Sequence, residues 1–226
     1  MVSIRKVIFA NNQIYHIFNR GVERRNVFTN KREYDRMLGV MRYYSFADVP
    51  MKYSLFIEST DLDQSYVIDK LRKKGVREIK IIAYCLMPNH FHLILRQEII
   101  GGISRFISNV SNSYCKYFNT KHNRVGPLFQ GAFKAVWVET DEQLVHLSRY
   151  VHLNPISSFL IKEKDLDTYF WSSLHEYLSK DSIETLSDPS IVLDIYGKDS
   201  RYREFVHDQI HYSQELEKIK HLIIEE

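Results

Sequence analysis

Residues 79–95 constrain the fold more than any other stretch. Ile79 to Leu86 is an apolar run rich in β-formers, Met87-Pro88-Asn89 signals a turn, and Phe91 to Leu95 is a second apolar run. Two such runs around a short turn specify an antiparallel hairpin. The returning strand opens with His90-Phe91-His92. Side chains alternate along a strand, so both imidazoles share one face and Phe91 points to the other. Two neutral imidazoles a few ångströms apart can hold a divalent metal. The same pattern also describes ordinary half-buried histidines, so the pair becomes a site only with a third ligand and a reactive group from elsewhere.

The rest of the chain supplies the layers around that hairpin. Gln13 to Phe18 alternates as a strand, broken by Asn19-Arg20-Gly21. Asn30 is placed to cap a helix through Tyr34, Met37, Leu38, Met41 and Tyr44. Met51 to Ile57 reads as extended, and Asp61 to Lys74 as a helix ending at Gly75. Gly101-Gly102 opens a helix with Ile103, Phe106, Ile107, Val110, Tyr114 and Tyr117 on one side, and Phe133 to Val138 is strand-like. Thr140 with Gln143 forms a capping box for the next helix, which Asn154-Pro155 is expected to end. Beyond 160 the chain reads as mostly helical, with a helix start at Ser187-Asp188-Pro189 and a break at Gly197-Lys198-Asp199. The order predicts an α+β fold: a ferredoxin-like or RRM-like antiparallel sheet carrying helices on one face, plus a helical C-terminal extension. The expected division is 1–160 for the main domain and 161–226 for the extension.

Charge divides the same way. Residues 1–160 hold 23 Lys and Arg against 13 Asp and Glu, a net of +10; residues 161–226 hold 8 against 15, a net of −7. A basic front of this kind suits a polyanion, although an ordinary solvated surface would look alike. No apolar run approaches the ~18 residues of a membrane-spanning helix, so no membrane partner is expected. The N-terminus, Met1 to Ala10, has two cations before a short apolar stretch and does not read as a signal peptide. Cys85 and Cys115 lack metal or CxxC spacing, which places two reduced thiols in a cytoplasmic protein.

The helix from Thr140 offers what the histidine pair lacks. Leu144, Leu147 and Val151 form its apolar stripe; Gln143, His146, Tyr150 and Asn154 form another, and Tyr150 and Asn154 are one turn apart. Asn154 can give an oxygen ligand to a His90–His92–Asn154 metal site. Tyr150 can attack phosphorus, and a metal would polarise the phosphate and stabilise a 3′-oxygen leaving group. The resulting phosphotyrosine link conserves the energy of the diester for rejoining. Fifteen tyrosines occur in the chain, and Tyr114 and Tyr117 are rivals on reach. His146 is one turn before Tyr150, as a proton acceptor or a packing residue.

Six blocks occur in order: Tyr15-His-Ile-Phe-Asn-Arg-Gly21, Ala83-Tyr-Cys-Leu-Met-Pro-Asn-His-Phe-His92, Phe118-Asn119, Gly126-Pro-Leu-Phe-Gln-Gly131, Arg149-Tyr-Val-His-Leu-Asn-Pro155 and Trp171-Ser-Ser173. Together they resemble the single-tyrosine HUH transposases, in the branch of the REP-associated (IS200-like) tyrosine transposases. The likeness spans roughly residues 12–178. It implies an enzyme that cuts and rejoins single-stranded DNA, often beside a hairpin, through Tyr150. It further implies Mg²⁺ or Mn²⁺ held by His90, His92 and Asn154. Two imidazoles tilt the choice toward Mn²⁺. Some relatives act as dimers that swap the tyrosine helix and REP-associated members act as monomers, so a homodimer stays open. Relatives commonly carry a basic residue where this chain has Ala132, a role Lys134 could take.

For DNA contacts the sequence offers Arg20, Arg24 and Arg25 in the first loop, Lys73 and Lys74 within a second basic run, and Lys121, Arg124 and Lys134 in a third. Phe129 and Trp137 could stack on unpaired bases or belong to the core. Two other functions use much of the same machinery: a non-catalytic binder of structured single strands, and a metal phosphodiesterase using water in place of Tyr150.

Overall fold

The computed structural model describes residues 7–179, 185–196 and 199–224. The start of the N-terminal segment and the break at Gly197-Lys198 lie outside them. Strand β1 (Ile14–Arg20) leads through helices α1 (Lys31–Tyr44), α2 (Tyr53–Glu58) and α3 (Asp61–Lys74) to the hairpin β2 (Ile79–Met87) and β3 (His90–Gln97). Then come α4 (Gly102–Lys121), β4 (Lys134–Val138) and α5 (Asp141–Ser157), followed by α6 (Leu174–Leu178), α7 (Ser190–Tyr196), α8 (Asp199–His207) and α9 (Ile210–Ile224). The sheet order is β2-β3-β1-β4, with every neighbouring pair antiparallel. Each strand–helix–strand crossover therefore skips one strand, which is the expected ferredoxin-like plan. Among the described residues no helix is long and apolar enough to cross a membrane.

Both faces of the sheet are covered, not one. Tyr15, Ile17, Ile79, Ile81, Tyr84, Phe91 and Leu93 pack with Met37 and Met41 of α1 and Phe106 and Val110 of α4. On the reverse, Ile82, Ala83, Cys85, Met87 and Ile94 meet Leu144, Val151 and Ile156 of α5. Leu174, Tyr177, Val192, Tyr202 and Val206, all from beyond residue 160, join that second core. The reason is visible in β2, where eight of nine residues are buried: a strand apolar on both sides needs two covers. A β-bulge between Ile81 and Ala83 shifts its register, so Ile79 and Ile81 face the first core whereas Ala83, Cys85 and Met87 face the second.

Two local expectations change. The segment read as extended from Met51 is helix α2, anchored by Phe56, whose ring stacks 4.7 Å from that of Tyr43. The Tyr44 hydroxyl accepts the Tyr53 N–H at 3.1 Å, satisfying a first-turn donor of a helix too short to be stable alone. Pro155 does not end α5, which continues to Ser157. A proline inside a helix removes one N–H from the ladder. Here the Asn154 side chain reaches back instead, from Nδ2 to the carbonyls of Tyr150 at 2.8 Å and Val151 at 3.5 Å.

The start of α1 is held from its own first turn. Asn30 occupies the cap position but makes no side-chain cap bond. The Glu33 carboxylate, fully buried, accepts the Thr29 N–H at 2.7 Å and hydroxyl at 2.9 Å. Lys121 and His122 at the end of α4 close on it at 2.8 and 2.7 Å.

Candidate active site

The hairpin turn and β1 build one wall of a cleft of about 470 Å³. His90 and His92 stand on the second-core face of β3, their ring centres 5.1 Å apart and nearly perpendicular. Tyr150 and Asn154 enter from α5 across the cleft, with the Tyr150 ring centre 5.6 Å from that of His92. Tyr150 is 45% exposed, open to a ligand in the cleft. The two stretches that the spacing singles out thus meet in one place.

Each histidine is oriented through Nδ1. His90 Nδ1 lies 2.6 Å from Asn89 Oδ1, and His92 Nδ1 lies 2.9 Å from His16 Nε2. His16 projects from β1 one strand over, and its ring centre is 6.3 Å from that of Tyr150. Sequence alone does not mark it as a site residue. Its signal is the alternation His16-Ile17-Phe18, which needs the β1–β3 register, pairing Phe18 with His92, to become informative. Burial pushes His16 down to about 4. His90 is also pushed down to about 4, chiefly by burial, with Arg20 adding and a hydrogen bond donated to Asn154 and the charge of Glu217 opposing. His90 is therefore neutral at pH 7, the state a metal ligand requires, as is the His16 ring that holds His92.

Among the described residues no three of His, Cys, Asp and Glu cluster as a metal site, so a site here needs the amide. The donor set does fit a divalent ion. With Nδ1 held by the protein, Nε2 is the atom each imidazole would give to a metal, and a ligand histidine held through its other nitrogen is the usual arrangement. The Asn154 amide is held through Nδ2, and its oxygen is the atom it would give as a third donor.

The cations divide into groups. Arg20, Arg24 and Lys134 line the cleft, and Lys134 Nζ lies 6.0 Å from the Phe18 ring centre. Arg25 pairs with Glu23 at 2.9 Å. Lys73 and Lys74 end α3, where Lys74 pairs with Asp48 at 2.5 Å. Lys121 is engaged with Glu33, and Arg124 donates to Asn119 at 2.7 Å; neither lines the cleft. Phe129 is buried edge-on against Phe91, whereas Trp137 is half exposed and donates to Gln13 at 3.1 Å. Tyr114 is buried, and its hydroxyl donates to the Val27 carbonyl, which removes it as a rival nucleophile. Tyr117 faces the cations of Arg36 and Lys121 and does not line the cleft. His146 sits with Arg149, 2.9 Å away, and Phe205 instead of over the cleft. The far wall comes from α9 through Ser213, Leu216 and Glu217, which no sequence pattern marks.

Residues 49–154, just under half of the chain, match the family of IS200-like transposases, a span that includes His90, His92, Tyr150 and Asn154. No curated protein matches the sequence. In fold the chain is similar to a solved REP-associated tyrosine transposase bound to a REP hairpin. The TM-score is 0.52 at 13% identity, over 83% of this chain and 94% of that one.

Proposed function

With residues 49–154 matched to the IS200-like transposase family, we propose that this protein cleaves and rejoins single-stranded DNA beside a hairpin, using Tyr150 as the nucleophile. The observation that carries the reading is the meeting of Tyr150 and Asn154, one turn apart on α5, with His90 and His92 in one cleft. The Tyr150 oxygen attacks the scissile phosphorus. A tyrosyl–phosphorus bond forms as the bond from phosphorus to the 3′ oxygen breaks, and the phenolic proton ends on that oxygen. The reverse attack by a 3′-hydroxyl restores the diester with no external energy source. His90, His92 and Asn154 would hold Mn²⁺ or Mg²⁺, which supplies charge stabilisation at the phosphate. Arg20, Arg24 and Lys134 neutralise the flanking phosphates.

A denaturing gel tests this directly. Wild type and Tyr150→Phe are incubated with labelled hairpin-bearing single-stranded DNA and Mn²⁺. An SDS-resistant protein–DNA adduct that disappears in the variant and in EDTA is expected. Cleavage that persists in the variant would assign the attack to water. Salt-sensitive binding with no cleavage would assign the protein as a binder of structured strands.

A further inference from the structure

His152 lies between the nucleophile and the third metal donor in sequence, yet takes no part in the cleft. At about 100° per residue it projects from the side of α5 opposite to both Tyr150 and Asn154. It is fully buried, as are Ser148, Ser173 and Tyr202. Both of its nitrogens are engaged: Nε2 lies 2.8 Å from Ser173 Oγ and Nδ1 lies 2.8 Å from Tyr202 Oη. Tyr202 Oη is also 2.8 Å from Ser148 Oγ, back on α5.

The protons order themselves along this chain. Ser148 donates to the Val145 carbonyl at 2.7 Å, so it accepts from Tyr202. Tyr202, its one proton committed, accepts from His152 Nδ1–H. Of the two acceptors within reach of the Ser173 hydroxyl, His152 Nε2 at 2.8 Å is nearer than the Tyr84 carbonyl at 3.3 Å and takes its proton, while Ser173 Oγ accepts the backbone N–H of Tyr84 on β2 at 2.9 Å. The chain runs from the sheet, through the Trp171-Ser-Ser173 segment, to α5 and α8, with each donor matched to an acceptor. Apolar contacts, which also bury this face of α5, are non-directional. Hydrogen bonds fail beyond a few tenths of an ångström or a few tens of degrees. A helix keyed by such a chain cannot rotate or slide without breaking several bonds in a site closed to water.

We propose that His152, Ser173 and Tyr202 are positioning residues that set the rotation of α5, and with it the placement of Tyr150 and Asn154 over the histidine pair. This rests on the function proposed above for what Tyr150 does, but the positioning of Asn154 can be read without DNA. It also gives the acidic C-terminal region a task in the reaction, because Tyr202 belongs to α8.

The test compares wild type with Tyr202→Phe and Ser173→Ala, each of which removes one hydroxyl. Val206→Ala serves as a control that loosens the same core without touching the chain. Three quantities are measured: the single-turnover rate of the SDS-resistant adduct, the Mn²⁺ affinity by EPR titration, and the hairpin DNA affinity in EDTA. The two chain variants are expected to lose on the order of 10- to 100-fold in rate and to bind Mn²⁺ more weakly, with DNA affinity unchanged. The control should match their drop in Tm and keep rate and Mn²⁺ affinity. Losses that simply follow Tm, in the control as in the variants, would overturn the proposal, as would variants indistinguishable from wild type. If wild type forms no adduct, the transposase reading falls and the Mn²⁺ titration alone decides on the chain.

Discussion

Asn154 donates from Nδ2 to the carbonyl of Tyr150 at 2.8 Å, so the residue offered as a metal donor is oriented by the backbone of the residue offered as nucleophile. The neighbouring proline acts on the second, longer bond: Pro155 has no N–H to give to the Val151 carbonyl, which instead lies 3.5 Å from Asn154 Nδ2. Pro155→Ala returns that N–H, which takes the Val151 carbonyl from Asn154 and leaves the amide held by the Tyr150 carbonyl alone. The expected outcome is an α5 at least as helical by circular dichroism, with Mn²⁺ affinity lowered about 10-fold, the scale of losing a group that orients a ligand. An unchanged Mn²⁺ titration would show that the proline has no such role.

His16 makes a second prediction. It holds His92 Nδ1 at 2.9 Å without being a candidate ligand itself. His16→Ala should reduce Mn²⁺ affinity about 10- to 100-fold while both candidate imidazole ligands remain in place. Isothermal titration with Mn²⁺ decides it, and affinity equal to wild type would refute the role.

Acid stability should depend on Glu33. Burial alone would raise its carboxyl; hydrogen bonds from Lys121, Thr29 and His122 outweigh that and bring it down to about 2. Its folded value is thus below the unfolded one of about 4.5. A depressed carboxyl stabilises the fold above the unfolded value, and that stability is lost as pH falls from about 4.5 through 2. Glu33→Gln should cost on the order of 3 kcal/mol at pH 7, and much less near pH 2. Urea melts across that range check it: a deficit that does not shrink on acidification would contradict the assignment.

Salt dependence separates the cations. Arg20, Arg24 and Lys134 line the cleft, whereas Lys121 is bound to Glu33. Replacing any of the first three with Ala should reduce the slope of log affinity against log salt by about 0.7 for a single strand. Lys121→Ala should leave the slope intact and lower Tm. Equal slopes for all four variants would place the strand elsewhere.

Much of this architecture is legible in the amino-acid sequence. The hairpin, the histidine pair, the Thr140–Gln143 capping box and the Tyr150–Asn154 spacing follow from periodicities of two and about four residues, which local sequence carries directly. What escapes depends on partners distant in the chain. His16 matters only through a register with β3 that no local pattern sets. Helix α2 exists because Phe56 and Tyr53 find Tyr43 and Tyr44. Pro155 is tolerated because a neighbouring side chain replaces the bond it lacks. The basic runs look alike as sequence, yet the buried carboxylate of Glu33 gives Lys121 a partner within the protein.

The bulge between Ile81 and Ala83 has a consequence for comparing this chain with its relatives. Side-chain parity in β2 is not continuous: positions counted forward from Ile79 point to the wrong face once Ala83 is passed. A relative shorter by one residue here would keep its histidines over the cleft while appearing, in any gap-free alignment from the strand's start, to have turned them inward. The hairpin is therefore best numbered backward from the Pro88-Asn89 turn, the one fixed point shared by both strands.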